Sequence, residues 1–179
     1  MLVYLPNPEN PISTSGHRYR LARAASRYGH HGLAANLFTE IAQYAESDTI
    51  YSWLEGLSLL SQAENTLIMT TTMSLQERLT NSLNLFHRSL SSLRCATTSS
   101  FPLSFQLEFV KCRVTMVNVL SSLVSAASSL STSPPPAIAG AHAQQSRDEL
   151  QRCGRVTPQL RKVIKQLETC AADWVKLAR

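Results

Sequence analysis

Apolar residues return every three or four positions from about Arg18 to the end of the 179-residue chain. No stretch alternates apolar and polar residues with the two-residue period of a half-buried strand. Such a chain folds by burying one stripe of each helix against its neighbours. The spacing predicts an all-α protein, a helical-repeat or α-solenoid-like array of about six or seven antiparallel helices with mostly short connections. A strict repeat period is absent. The opening hairpin has the size of a tetratricopeptide unit, but its Gly and Ala positions do not fall on that consensus.

Turn and cap residues divide the array. Residues 1–16 hold Pro6, Pro8, Pro11 and the cluster Ser13-Thr14-Ser15-Gly16, and read as an irregular lead-in. A helical array fills residues 17–130. Its first helix, from about His17 to Tyr28, stops at Gly29, and a second runs from about His31 to Ala45 with Leu33, Leu37, Ile41 and Tyr44 on one face. Ser47 and Asp48 offer an N-cap to a third helix, with Ile50, Trp53, Leu54, Leu57 and Leu60 inward. Gly56 inside that helix costs about 1 kcal/mol relative to Ala, so it marks close approach of a neighbouring helix. After Thr70-Thr71-Thr72, the string Ser74-Leu75-Gln76-Glu77 is a capping box, and Leu75, Leu79, Leu83, Phe86, Leu90 and Leu93 form the stripe of the fourth helix.

Pro102 suits the first turn of the next helix. One stripe there runs through Phe105, Phe109, Cys112, Met116, Val119 and Leu123, and an opposite one through Leu103, Leu107, Val110, Val114, Val117 and Val124. A helix apolar on two faces is packed on both sides. Residues 131–136 are a Ser/Pro linker, and residues 137–179 a helical pair divided at Gly154, with Thr157 and Pro158 opening the last helix. The final stripe, Leu160, Val163, Ile164, Leu167, Ala171, Trp174 and Ala178, still runs at Arg179, so the parent protein is expected to continue or the product to be truncated.

Composition narrows the function classes. Hydrophobic residues make up 44% of the chain, enough for a core at this length. Charged residues make up only 16%, against about 25% in an ordinary soluble domain, and a surface so thinly charged suits a covering partner. The lead-in has no apolar run long enough for a signal peptide. Glu108, Lys111 and Arg113 interrupt the most hydrophobic segment, Leu103 to Leu130, so no membrane span is expected and the protein reads as soluble and intracellular. Cys95, Cys112, Cys153 and Cys170 are far apart, and read as buried, reduced thiols.

No catalytic constellation stands out. The chain has no G-x-S-x-G elbow, P-loop or G-x-G-x-x-G string, and it reads as a non-enzyme. His30-His31 are adjacent and so unsuited to share a metal from one helix face, and His17 and His87 lack companions; no metal or cofactor is expected. Asp148-Glu149 beside Arg147 and Arg152 read as solvated ion pairs. Two basic regions remain. Arg20, Arg23 and Arg27 share one face of the first helix, and Arg147, Arg152, Arg155, Arg161, Lys162 and Lys165 cluster around Gly154. With a net charge of +5 these could meet phosphates or an acidic partner. The aromatics Trp53, Phe86, Phe105, Phe109 and Trp174 lie on apolar stripes and are assigned to the core, so base stacking beside the arginines is poorly supported.

Longer strings carry a resemblance. YRLARAASRYGHHGLAANLFTEIA at Tyr19 to Ala42, YSWLEGLSLLSQAE at Tyr51 to Glu64, SFQLEFVKCRVTM at Ser104 to Met116, TSPPPAIA at Thr132 to Ala139 and LQRCGR at Leu150 to Arg155 resemble the C-terminal helical region of the Integrator complex subunit 7 family, in order and in approximate spacing. The resemblance implies an armadillo/HEAT-type solenoid followed by further helices. It also implies a nuclear, non-catalytic scaffold whose partners are other Integrator subunits and, indirectly, RNA polymerase II and nascent small nuclear RNA. The alternatives are a generic peptide-binding helical repeat and a basic nucleic-acid-binding module.

Overall fold

The computed structural model describes residues 11–69, 73–131 and 142–177, with side chains placed at 15–69, 73–128, 158 and 161–177. Six helices and no strand lie among the described residues: α1 Pro11–Arg27, α2 His31–Ala42, α3 Asp48–Ile68, α4 Leu75–Ala96, α5 Ser104–Ser131 and α6 His142–Leu177. Each helix packs chiefly on its neighbours in sequence, so chain order is also spatial order. The all-α expectation is met. Residues 1–10, the Thr70-Thr71-Thr72 break and residues 132–141, which hold most of the expected Ser/Pro linker, lie outside the described residues.

Several boundaries differ from the sequence reading. Helix α1 starts at Pro11 rather than about His17. A proline at the first helical position brings a suitable φ and loses no bond, and the interior Gly16 is tolerated at a cost of about 1 kcal/mol. Gly154 and Pro158, expected to divide two helices, both lie inside the continuous α6. The amide missing from Pro158 would have bonded the carbonyl of Gly154, so the interruption is one lost bond within a long helix. Pro102 also sits further out than expected, before α5, where the Leu103 carbonyl accepts the first helical bond from Leu107 N–H at 2.9 Å.

Helix α1 closes as the glycine suggests. Gly29 takes φ +81°, His30 N–H donates to the Ala25 carbonyl at 2.9 Å and Gly29 N–H to Ser26 at 3.3 Å. This left-handed cap satisfies carbonyls that would otherwise be orphaned and turns the chain directly into α2. Ser47 caps α3 by accepting from Ile50 N–H at 3.3 Å. Ser74 and Glu77 form the full reciprocal capping box on α4.

The tightest contact is between α3 and α4, and small residues make it possible. Gly56 and Ala63 on α3 face Ser89 and Ser82 on α4, each pair separated by two helical turns. Ser89 Oγ donates to the Gly56 carbonyl at 2.7 Å, and Ser82 Oγ to the Ala63 carbonyl at 3.0 Å. Both serines are fully buried, so each hydroxyl is satisfied by the neighbouring backbone rather than by water. One core, formed by α1 to α3, centres on Phe38, Ala34 and Leu54; the other, formed by α3 to α5, on Phe86, Leu93, Leu103, Val110 and Val117.

Helix α5 is the central element its two stripes imply. Leu103, Val110 and Val117 are buried in the second core, while Cys112 and Val119 are buried on the other stripe. That second stripe meets α6, where Cys170 lies against the Cys112 carbonyl and Phe109 meets Trp174 edge-on at 5.4 Å. Against the expectation from its charges, residues Ser104–Ser128 are long and apolar enough to cross a membrane by length and composition, with a mean hydropathy of 1.3. Packing between α4 and α6 accounts for part of that apolarity, with 28% of the apolar window buried. Arg113, one of the interrupting charges, pairs with Glu64 on α3 through both carboxylate oxygens, and its guanidinium lies 5.8 Å from the Phe86 ring centroid.

Several assigned core positions are not core. Ile50, Leu33, Tyr44, Leu75 and Phe105 are exposed. Tyr44 falls beyond the end of α2, and Ile50 and Leu75 sit in first helical turns, where a stripe overshoots its neighbour. Cys95 is exposed, contrary to the buried reading, whereas Cys112 and Cys170 are buried; Cys153 lies outside the described side chains.

Candidate functional site

Arg20, Arg23 and Arg27 are all exposed on α1. Arg23 Nη1 donates to the Tyr19 hydroxyl at 3.2 Å. Glu40 of α2 is paired with Arg18 at 3.7 Å. Among the described residues, then, Arg20, Arg23 and Arg27 have no carboxylate partner. Their three- and four-residue spacing puts them in a row about 10 Å long on one face of the helix.

The row borders a groove of about 380 Å³ lined by α1, α3 and α5, with Phe38 of α2 at its base. Arg23 and Arg27 form one wall and Phe105 and Phe109 the other, with Phe38, Leu57 and Leu60 beneath them. Phe38 and Leu57 are buried, Leu60 and Phe109 are half-buried, and Phe105 is 59% exposed. Tyr19 extends the aromatic character along α1, its ring lying 6.0 Å from Phe38 and 5.2 Å from Trp53, which in turn meets Phe101 at 5.5 Å. The Trp53 indole N–H is buried without a hydrogen-bond partner.

Helical periodicity placed Phe105 on the stripe that faces α6. Helix α6 reaches Phe109 through Trp174. Phe105, one turn earlier on α5, is 59% exposed and lines the groove beside the arginines. The signal available in the sequence was the position of Phe105 in the first turn of its helix, next to the polar stretch Thr97-Thr98-Ser99-Ser100.

The described side chains of the second basic region are not joined to the first. Arg161, Lys162 and Lys165 are exposed on α6, at the opposite end of the helix order from α1. Lys162 borders a cleft of about 460 Å³ shared with Ser121, Ser122 and Ser125 of α5. Arg147, Arg152 and Arg155 fall on the backbone of α6, but their side chains, like those of Asp148 and Glu149, lie outside the described ones. On the same helix Ile164, Leu167 and Val175 expose large apolar side chains at three- to eight-residue spacing.

The chemistry of the remaining groups is quiet. His30 is exposed in the α1–α2 turn, as a polar connection would be. Among the described residues no three His, Cys, Asp or Glu side chains converge as a metal site requires. Burial, with smaller contributions from Asp173, Cys170 and Glu108, pushes the Cys112 thiol above its ordinary value, which makes it a poorer nucleophile.

Comparison with known proteins places this arrangement. A family profile described as the Integrator complex subunit 7 helical bundle matches residues 31–179. Integrator complex subunit 7 of Drosophila melanogaster is 39% identical over 176 residues, covering 89% of this chain and 18% of that protein. The Mus musculus protein of the same name is 37% identical over 166 residues, covering 91% and 17% respectively. That of Homo sapiens is 38% identical over 164 residues, covering 87% and 16%. The chain thus spans less than a fifth of the length of these relatives. With the profile covering most of the chain and relatives more than 30% identical over 87–91% of it, the chain belongs to the Integrator complex subunit 7 helical-bundle family.

Proposed function

We propose that this chain is a non-catalytic scaffold element of the Integrator complex. It acts in the nucleus through protein–protein contacts that support small nuclear RNA 3′-end processing and attenuation of transcription by RNA polymerase II. The observation that carries this reading is the family match across residues 31–179. Its partners are other Integrator subunits, with the polymerase and nascent RNA reached indirectly.

The surface is consistent with such a role. Apolar side chains left uncovered on α1, α2 and α6, namely Leu21, Leu33, Ile164 and Val175, are what a helix stack shows where another protein is to pack. Affinity capture of the tagged chain from nuclease-treated nuclear extract, with the bound proteins identified by mass spectrometry, tests the proposal. Recovery of several Integrator subunits is expected. A folded chain that brings down none of them would end it.

A further inference from the structure

We infer that the α1–α3–α5 groove is a docking site for an acidic peptide segment carrying an apolar anchor, contributed by another Integrator subunit. The inference rests on the proposed scaffold role for the partner's source, but on the groove's own chemistry for what is recognised. Two features of that chemistry are independent. One wall holds Arg23 and Arg27, with Arg20 in line behind them, all without a carboxylate partner among the described residues. The other wall and the floor are mostly apolar, with Gln106 and Ser61 among the lining, and Phe105 stays 59% exposed against them.

Charge complementarity selects the occupant. Guanidinium groups spaced along one helix face pair with carboxylates in two-pronged geometry, and a neighbouring apolar wall excludes the water that would screen them. The volume of about 380 Å³ suits an inserted apolar side chain or two, with the peptide's acidic residues over the arginines. A nucleic acid strand fits less well. Its phosphates repeat along the backbone and call for cations along an extended track, whereas the arginine row is only about 10 Å long and faces an apolar wall. The buried Phe38 and Leu57 floor offers side-chain insertion rather than an open stacking platform.

Photo-cross-linking tests the site directly. The tagged full chain carries Phe105→p-benzoylphenylalanine, with the same probe at the exposed Asn84 of α4 as a separate control. Each is irradiated in nuclear extract and the adducts are mapped by mass spectrometry. The expected result is an adduct from position 105 to an Integrator subunit, on a peptide with Asp or Glu beside the apolar contact. In the Arg23→Glu/Arg27→Glu background its yield drops roughly tenfold while adducts from the Asn84 probe do not change. Both arginines are exposed, so the charge reversal leaves the core intact, which circular dichroism verifies. An adduct to nucleic acid, to this chain itself or to a peptide without acidic residues overturns the inference. So does a yield indifferent to the charge reversal, or no adduct while Integrator subunits co-purify. Absence of every Integrator subunit from the purification instead sinks the scaffold reading, and the partner named here with it.

Discussion

Replacing Gly56 by alanine probes the close approach of α3 to α4. A Cβ at this position would stand 2.7 Å from Leu93 Cγ and 2.8 Å from Leu93 Cδ2. Leu93 is fully buried, and Cγ lies mid-chain rather than at a flexible tip, so the clash is relieved only by a new leucine rotamer or by moving α3 from α4. Moving the helices also stretches the 2.7 Å bond from Ser89 to the Gly56 carbonyl. Alanine gains about 1 kcal/mol of helix propensity, against about 1–3 kcal/mol for overpacking and about 1 kcal/mol for the strained hydrogen bond. The net expectation is a loss of about 1–3 kcal/mol, or a melting temperature lower by about 2–12 °C at this chain length. Urea and thermal unfolding followed by circular dichroism measure it. The cycle with Leu93→Ala isolates the cause: in that background the clash is gone and Gly56→Ala should be neutral or stabilising. If Gly56→Ala is stabilising on its own, or equally destabilising with and without Leu93, the close-approach argument is wrong.

Further expectations concern polar groups whose surroundings are defined. Arg113→Met leaves Glu64 unpaired between α3 and α5 and should cost about 3 kcal/mol, while adding Glu64→Gln recovers part of the loss; equal stabilities of the single and double variants in urea would count against it. The Ser74 backbone N–H, and next the Ser74 hydroxyl, hold the Glu77 carboxyl below its ordinary 4.5. A carboxyl depressed on folding stabilises the folded state above its unfolded pKa, and that contribution fades as pH falls through the folded value. Glu77→Gln should therefore flatten the fall of melting temperature below about pH 4.5, and unchanged slopes would refute the capping role. In the native chain an alkylating agent should label the exposed Cys95 well before Cys112, whose thiol is buried and raised; peptide mapping that finds Cys112 labelled first would contradict the α5–α6 packing.

Much of the architecture was legible because local chemistry and global packing agree. The Ser47 and Ser74 caps, the Gly29 turn and the meaning of Gly56 all rest on backbone needs confined to a few residues, and those needs do not depend on which neighbour arrives. The double stripe of α5 announced a two-sided neighbour for the same reason. The continuity of α6 through Gly154 and Pro158 was not legible. Breaker residues set a cost on continuing a helix, and only the sum over a long helix decides whether that cost is met.

The sequence by itself determined that this chain is helical, where most helices are capped, which faces are apolar, and to which family its longer strings point. Only the tertiary structure decided which apolar residues are covered. Periodicity assigns a side chain to a face, but coverage depends on which side chains pack there: Trp174 of α6 meets Phe109, while Phe105 stays exposed. Arg23 and Arg27 on α1 likewise meet aromatics of α5 across a groove floored by Phe38 of α2 and by Leu57 and Leu60 of α3. Residues distant in sequence become one surface through packing, and that packing is a property of the whole stack rather than of any one helix.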